Sequence, residues 1–334
     1  MYLLAIESSC DDTAVSVLKD QKPLSNVVSS QLVHETYGGV VPEMASREHQ
    51  KNIWAVTQTA LDQAGIAAES IGCIGYTRGP GLPGSLMVGA NFAKGLALGL
   101  NIPLVSVNHM EAHILSLLLP EKKPAFPFLC LVVSGGHTLL VLVLDWDQMK
   151  VIGSTKDDAV GEAFDKCAKL LGLGYPGGKW IDQLAAAGNP NAFSFPVAKM
   201  EEYRFSYSGV KTSFLYFLQE KGPDFVTKNK PDICASIQEA LLKPLVQASR
   251  KALKSFDIQR LGIAGGVSAN SRLRNWMESA AVEDGFSLFV PPFEYCTDNA
   301  AMIGLAAWFK WERGLFARQD ENTEPRLVIG NNPG

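Results

Sequence analysis

The segment V-N-H-M-E-A-H-I-L-S, from Val107 to Ser116, places His109 and His113 four residues apart. On a helix that spacing puts both imidazoles on one face, where they can share one metal ion. A pair of this kind in an amphipathic helix is equally compatible with a structural role. Asn108 is placed to cap the helix and Pro120 to end it. The helix N-terminus favours the neutral imidazole, which is the form that ligates. Glu111 does not complete a zinc-peptidase motif: H-E-x-x-H carries its glutamate directly after the first histidine, and here the acid comes one residue later, about 100° further round the helix. A third ligand has to come from elsewhere. Asp298, in C-T-D-N-A at the start of an apolar helix, is a candidate; its alternative reading is a first-turn aspartate favoured by the helix dipole.

Three loops carry the remaining chemistry. Ser134-Gly135-Gly136-His137-Thr138 is either a plain hairpin turn or a phosphate cradle, in which backbone N–H groups surround an anion with no Cβ in the way. Glu7-Ser8-Ser9-Cys10-Asp11-Asp12-Thr13 is its counterpart near the start of the chain. Its adjacent acids are either solvated turn residues or carboxylates that orient a water, a metal or an amine. Gly265-Gly266-Val267-Ser268-Ala269-Asn270 follows a strand and opens a helix capped by Ser268 or Asn270, a place that also suits the polar groups of a nucleotide. Asp165 falls on the polar stripe Asp158, Glu162, Asp165, Lys169, and Tyr175-Pro176-Gly177-Gly178-Lys179 turns into a helix carrying Asp182; spacing alone gives these no role.

The elements that must position these loops recur. Y-L-L-A-I and T-A-V-S-V-L flank the acidic loop, and F-L-C-L-V-V and T-L-L-V-L-V-L flank S-G-G-H, each pair a hairpin of apolar strands. Two such openings about 125 residues apart point to a duplicated architecture. Short strands at 73–76, 103–107 and 261–264 alternate with helices at 84–98, 158–171, 231–256, 269–281 and 297–313, which argues for α/β layers. The domains expected are a first α/β lobe, 1–124, with the last helix (297–313) packing back on it as an option, and a second lobe with a tail, 125–334. The chain has 334 residues, 47% hydrophobic and 19% charged, with a formal charge of −4. It can bury sizeable cores, and no global basic field advertises nucleic acid, so a nucleic-acid partner needs a local patch. Lys243, Arg250, Lys251, Lys254 and Arg260 form one basic run, which is also what a solvated helix face looks like. The six cysteines form no C-x-x-C pair, and neither a signal peptide nor a membrane span is visible, so the expected setting is the cytoplasm.

Collected together, these segments resemble the TsaD/Kae1 family of tRNA N6-adenosine threonylcarbamoyltransferases, once called O-sialoglycoprotein endopeptidases. The resemblance is carried by I-E-S-S-C-D-D-T, G-G-V-V-P-E-M-A-S-R-E-H, R-G-P-G-L-P-G-S-L, N-H-M-E-A-H, V-V-S-G-G-H-T, G-E-A-F-D-K, Y-P-G-G, F-S-Y-S-G-V-K-T, G-G-V-S-A-N and T-D-N-A-A-M-I, in family order from residue 3 to about residue 304.

The resemblance implies an actin/Hsp70/sugar-kinase (RNase H-like) fold, two related α/β lobes around a nucleotide cleft. It implies that His109, His113 and Asp298 hold one divalent metal, Fe(2+) or Zn(2+). It implies that Val132, Val133, Ser134, Gly135, Gly136, Asp165, Gly178, Asp182 and Asn270 contact the adenylate-bearing substrate, an ATP-type nucleotide site, and that Asp11 is the acid needed for transfer. The expected activity is an acyl transfer from L-threonylcarbamoyl adenylate to a tRNA adenosine. The expected partners, besides tRNA, are a degenerate TsaB-like paralogue and a small TsaE-like P-loop ATPase in a bacterial setting. The chain departs from the family pattern in three places: Asp12 stands where glutamate is usual, Tyr207 where phenylalanine is common, and the tail lacks the usual basic, proline-containing character. A metallopeptidase and a non-catalytic scaffold are the competing readings. The offset of Glu111 speaks against the first, and the retained histidines and Asp298 against the second.

Overall fold

The computed structural model describes residues 1–31, 37, 39–198 and 200–330. Gly38, which opens the G-G-V-V-P-E motif, and residues 331–334 of the expected tail lie outside the described residues. The chain divides into two compact units, Met1–Lys123 with Pro291–Gly334, and Pro124–Val290.

The first unit is built on a five-stranded sheet of order β3-β2-β1-β4-β5. β1 (Tyr2–Glu7), β2 (Thr13–Lys19) and β3 (Lys22–Ser29) form an antiparallel meander, and β4 (Ile71–Gly79) and β5 (Leu104–Asn108) run parallel to β1. Leu3, Leu4, Ala5 and Ile6 are all buried, because both faces of the sheet are covered and a central strand then reads as a continuous apolar run. On one face Leu4, Ile6, Val15, Val17, Ile74 and Tyr76 share a core with Ile53, Val56, Ala60 and Leu61 of α1 (Pro42–Ala64) and with Ala90, Ala93 and Ala97 of α2 (Pro83–Leu100). The short helix α3 (His109–Leu115) follows β5 directly.

The second unit repeats the plan. Its sheet has the order β10-β9-β6-β7-β8: β6 (Phe128–Val133), β7 (Thr138–Asp145) and β8 (Gln148–Ser154) are the antiparallel meander, and β9 (Arg260–Ala264) and β10 (Ser287–Phe289) are the parallel strands. Its helices are α4 (Val160–Leu170), α5 (Gly177–Ala185), α6 (Ser208–Lys221), α7 (Pro223–Lys228), α8 (Lys230–Phe256) and α9 (Ser271–Asp284). Phe164 of α4 lies in the core with Leu129 and Leu131 of β6, Phe205, Phe214 and Leu241. Phe164→Ala is expected to cost about 3–5 kcal/mol through lost transfer and a cavity, read as a lower urea midpoint for the second unit.

From Pro291 the chain belongs to the first unit, where the sequence reading kept 125–334 in the second lobe with the last helix (297–313) packing back on the first as an option. The reason lies in α10 (Ala300–Glu312), whose residues from Ala300 to Trp308 are all buried. A helix apolar all round must be enclosed, and this one lies on the second face of the first sheet. The approach is close: a Cβ on Gly304 would stand 2.1 Å from Leu18 Cδ1, and one on Gly75 would stand 2.6 Å from Ala307 Cβ. The tail then runs as a strap over the same unit. Ala317 N–H donates to the Leu104 carbonyl at 2.7 Å and Gly81 N–H to the Pro325 carbonyl at 3.2 Å. Arg78 pairs with Glu321 at 2.8 Å and Glu324 at 3.2 Å. The strap ends on the histidine helix: Asn108 Nδ2 donates to the Val328 carbonyl and Gly330 N–H to Glu111 Oε1, both at 3.0 Å.

Candidate functional site

Asn108 ends β5 and caps α3 as its sequence position implied; its side chain accepts from Met110 N–H at 2.9 Å and Glu111 N–H at 3.3 Å. That cap fixes the first turn, so His109 and His113 project from one face, their rings 4.6 Å apart between centroids. Asp298 joins them from the loop before α10: its Oδ1 lies 3.1 Å from His113 Nε2 and 3.5 Å from His109 Nε2. The ligating atoms of His109, His113 and Asp298 all lie within 4.8 Å of one another. The helix cap is Asn299, whose side chain accepts from Met302 N–H at 3.1 Å. Asp298 therefore precedes the cap, and the first-turn reading of this aspartate is corrected.

Behind His109 stands Glu7, fully buried at the end of β1. Its Oε2 lies 3.0 Å from His109 Nδ1 and also accepts from the Thr77 hydroxyl; its Oε1 accepts from Ser9 N–H. With Nδ1–H donated to a carboxylate, the neutral His109 ring turns its Nε2 lone pair toward Asp298. Two imidazole nitrogens and a carboxylate oxygen then converge, an arrangement that calls for protons or for one cation. The donor set suits a divalent transition metal, and a carboxylate behind a ligating histidine is the usual way its tautomer is held. Burial would raise the Asp298 carboxyl, but the two imidazoles outweigh it and hold it well below the usual range. Burial would lower His109, but Glu7 and Asp298 outweigh that and raise it. Burial pushes Asp12 up to about 7, with the Asp298 charge adding to the effect.

Glu111 serves a different purpose from a peptidase glutamate. Its Oε1 accepts the Gly330 amide of the strap, and burial raises its carboxyl against the opposing influence of that amide and of Lys310.

In the second unit, β6 and β9 lie side by side, Val132 opposite Ala264, so S-G-G-H and G-G-V-S-A-N leave the same end of adjacent parallel strands. Open α/β sheets bind ligands at such ends. Gly265 has φ +87°, and a Cβ there would meet the Val133 carbonyl oxygen at 2.5 Å, so this turn requires glycine. Gly135 and Gly136 differ: a Cβ on either would meet nothing within 4 Å. Packing does not demand glycine at these two positions, whereas close approach of a ligand would. Val132 and Val133 are fully buried, so they could offer a ligand backbone only.

The other expected residues tie this region together. Asp165 Oδ1 accepts from Gly177 N–H at 2.7 Å, beside Gly178 at the start of α5. Asp182 accepts from Ser271 N–H at 3.0 Å and the Ser271 hydroxyl at 2.8 Å. Asn270, rather than Ser268, caps α9: it accepts from Leu273 N–H at 2.9 Å and donates to Gln238 Oε1 at 2.8 Å. The structure thus groups Asp11, His109, His113 and Asp298 in the first unit and the adenylate set, from Val132 to Asn270, in the second.

A family model described as TsaD, tRNA N6-adenosine threonylcarbamoyltransferase, matches residues 22–305. The chain belongs to the TsaD family. A TsaD-family relative from Cytophaga hutchinsonii, named tRNA N6-adenosine threonylcarbamoyltransferase, is 52% identical over 331 residues, 98% of this chain and 96% of its own. Among solved structures, HypF from T. kodakarensis aligns with TM-score 0.63 at 14% identity, over 94% of this chain and 48% of HypF. The ROK hexokinase from Thermus thermophilus aligns with TM-score 0.53 at 14% identity, over 94% of this chain and 100% of its own. These likenesses show the fold alone, and it is the actin/Hsp70/sugar-kinase type that the family resemblance implied.

Two further expectations about the TsaD-family chain can be placed. Two members of the basic run are paired with acids: Arg250 with Glu283 at 3.1 Å and with Asp284, and Lys254 at 3.6 Å from Asp284, while Lys251 sits over the Tyr203 ring. Among the described residues, no helix is long and apolar enough to cross a membrane. Sequence reasoning missed Glu7, whose only signal was a lone acid closing an apolar strand. It also missed His49, which is fully buried on α1.

Proposed function

We propose that this chain transfers the threonylcarbamoyl group of L-threonylcarbamoyl adenylate to the N6 amine of the adenosine 3′-adjacent to the anticodon, in tRNAs reading codons that begin with A. The observation that carries the reading is the convergence of His109, His113 and Asp298, backed by Glu7, in a chain that the TsaD family model matches over residues 22–305. The new bond joins N6 to the carbamoyl carbon, the bond from that carbon to the phosphate oxygen breaks, and AMP leaves as N6 gives up a proton. In this reading His109, His113 and Asp298 hold the divalent metal, Fe(2+) first and Zn(2+) second; when bound, it supplies Lewis-acid polarisation of a substrate oxygen.

The chain's own groups do the rest. The N–H groups of Gly135 and Gly136 in the Ser134-Gly135-Gly136 loop hold the phosphate, lying where no Cβ blocks approach. Asp165, Gly178, Asp182 and Asn270, with the backbone at Val132 and Val133, hold the nucleoside. The amine is a poor nucleophile because its lone pair is delocalised into the purine, so holding it against an activated acyl phosphate provides much of the rate. Asp11 orients the amine and accepts its proton. The partners in this proposal are tRNA, a degenerate TsaB-like paralogue and a small TsaE-like ATPase, in the cytoplasm. A peptidase role finds no support, since Glu111 is engaged by the strap.

Purified protein, with these partners, is mixed with threonylcarbamoyl adenylate and unmodified tRNA, and the digested tRNA is analysed by mass spectrometry. Absence of the modified nucleoside from a metal-loaded, partner-complete mixture would refute the proposal. A narrower test concerns the phosphate loop. A Cβ on Gly161 would stand 2.5 Å from the Ser134 carbonyl oxygen and 2.8 Å from Gly135 Cα. Gly161→Ala is therefore expected to displace the loop and weaken AMP binding by about tenfold or more, the 1.4 kcal/mol of one misplaced phosphate contact. Calorimetric titration reads this, and unchanged affinity would remove the loop from the site.

A further inference from the structure

The proposed function leaves the motifs P-E-M-A-S-R-E-H and R-G-P-G-L-P-G-S without a task. In the structure both grip the acidic loop. His49, fully buried on α1, places its ring across the two flanks of that loop: Nε2 lies 3.0 Å from the Cys10 carbonyl oxygen, and Nδ1 lies 2.7 Å from the Thr13 hydroxyl. A carbonyl oxygen only accepts, so Nε2 carries the proton. In the neutral ring Nδ1 is then the acceptor, and the Thr13 hydroxyl donates to it. The Cys10 carbonyl receives a second donor, the Ser85 hydroxyl of α2, at 2.9 Å. One residue earlier, Leu82 N–H donates to the Ser9 carbonyl at 2.7 Å.

We infer that His49 is a positioning residue for Asp11. The Cys10 carbonyl and the Asp11 amide belong to one planar peptide unit. Two donors on that oxygen, arriving from two different helices, fix the plane and with it the origin of the Asp11 side chain. Thr13, on the far flank, is tied to the same imidazole. Asp11 thus sits between two points fixed by one buried ring. This inference rests on the reading that Asp11 acts on the amine.

The test compares His49→Ala, His49→Gln and Asp11→Asn with the unaltered chain. It measures transfer kinetics, metal content and hydrogen–deuterium exchange of the amides in 8–13. His49→Ala is expected to lose about a hundredfold in kcat, the scale of a roughly 1 Å misplacement. KM for tRNA and metal content should stay unchanged, and the loop amides should exchange faster. His49→Gln, whose amide NH2 reaches the Cys10 carbonyl much as Nε2 does, should recover most of kcat. Full kcat in His49→Ala beside an inactive Asp11→Asn overturns the inference and leaves the function reading standing. Full transfer by Asp11→Asn is instead the failure of that reading; unchanged loop exchange in His49→Ala then still overturns the positioning role. Should His49→Ala fail to fold, Ser85→Ala removes the other donor to the same carbonyl. Unaltered kcat and loop exchange both in Ser85→Ala and in His49→Leu, which keeps the bulk of the ring but donates nothing to that carbonyl, overturn the inference as well.

Discussion

His113→Ala and His109→Ala are each expected to empty the metal centre and to reduce transfer by about a thousandfold or more. The magnitude follows from the several kcal/mol that a Lewis acid contributes to a developing charge, with each 1.36 kcal/mol worth a factor of ten. Loss of either imidazole leaves one nitrogen and one carboxylate, too few to hold a transition metal against water. The two variants should still differ in one respect. His113 is fully buried, and among the described residues its Nδ1 makes no hydrogen bond, so its removal opens a small cavity without orphaning a partner on that side. His109→Ala strands the Glu7 carboxylate in the interior and should therefore be the less stable protein. Metal content by elemental analysis, modified nucleoside by mass spectrometry and thermal unfolding on the same samples check all three expectations. A metal-free variant with full transfer would sink the mechanism.

Glu7→Gln should lower metal affinity by about 10–100-fold, the usual cost of losing the group that orients a ligating histidine. The size of the side chain hardly changes, so the effect is one of hydrogen-bond polarity. The carboxylate accepts from Ser9 N–H, the Thr77 hydroxyl and His109 Nδ1–H. An amide in its place presents a donor at one of its two ends. Facing His109, the NH2 forces the ring into the other tautomer and puts a proton on the nitrogen meant for the metal. Facing Ser9, it opposes a buried backbone N–H, at about 1–3 kcal/mol. Competition with a chromophoric chelator measures the affinity, and the absorption bands of the Co(2+)-substituted protein report ligand geometry. Wild-type affinity in Glu7→Gln would show that the carboxylate is only a structural anchor.

Much of the site was legible in the sequence because its cues are local. The His109–His113 spacing, the Asn108 cap and the glycine loops at strand ends each depend on residues a few positions apart. What stayed hidden depends on distant partners. Glu7 reads as the last residue of an apolar strand, and only β4 and α3, brought beside β1, reveal its bonds to Thr77 and His109. Asp165 reads as part of a solvated stripe, while its carboxylate in fact holds the Gly177 amide 12 positions on. The long helix α1 has no capping side chain, since Val41 precedes it and supplies none; Pro42 at its first position and Glu43 in its first turn are its start signals. The strands β3 and β8 lie at sheet edges, with mixed residues of which only one in each is buried, so their apolar alternation was too weak to read. The place of the last helix stayed open for a related reason, since an all-apolar helix such as α10 does not say which sheet it will cover.

The division of the first unit into two stretches of chain also sets an order of events during synthesis. Both histidines emerge from the ribosome early, yet the carboxylate that meets His113 lies 185 positions further along, with the whole second unit made in between. Domains generally fold as they emerge, N-terminal first, but here the N-terminal sheet waits for its covering helix, for Asp298 and for the strap that seats Glu111. A stalled or shortened polypeptide ending before Asp298 carries two histidines without the carboxylate that meets them, so the proposed capture of an ion would wait for chains translated past Asp298.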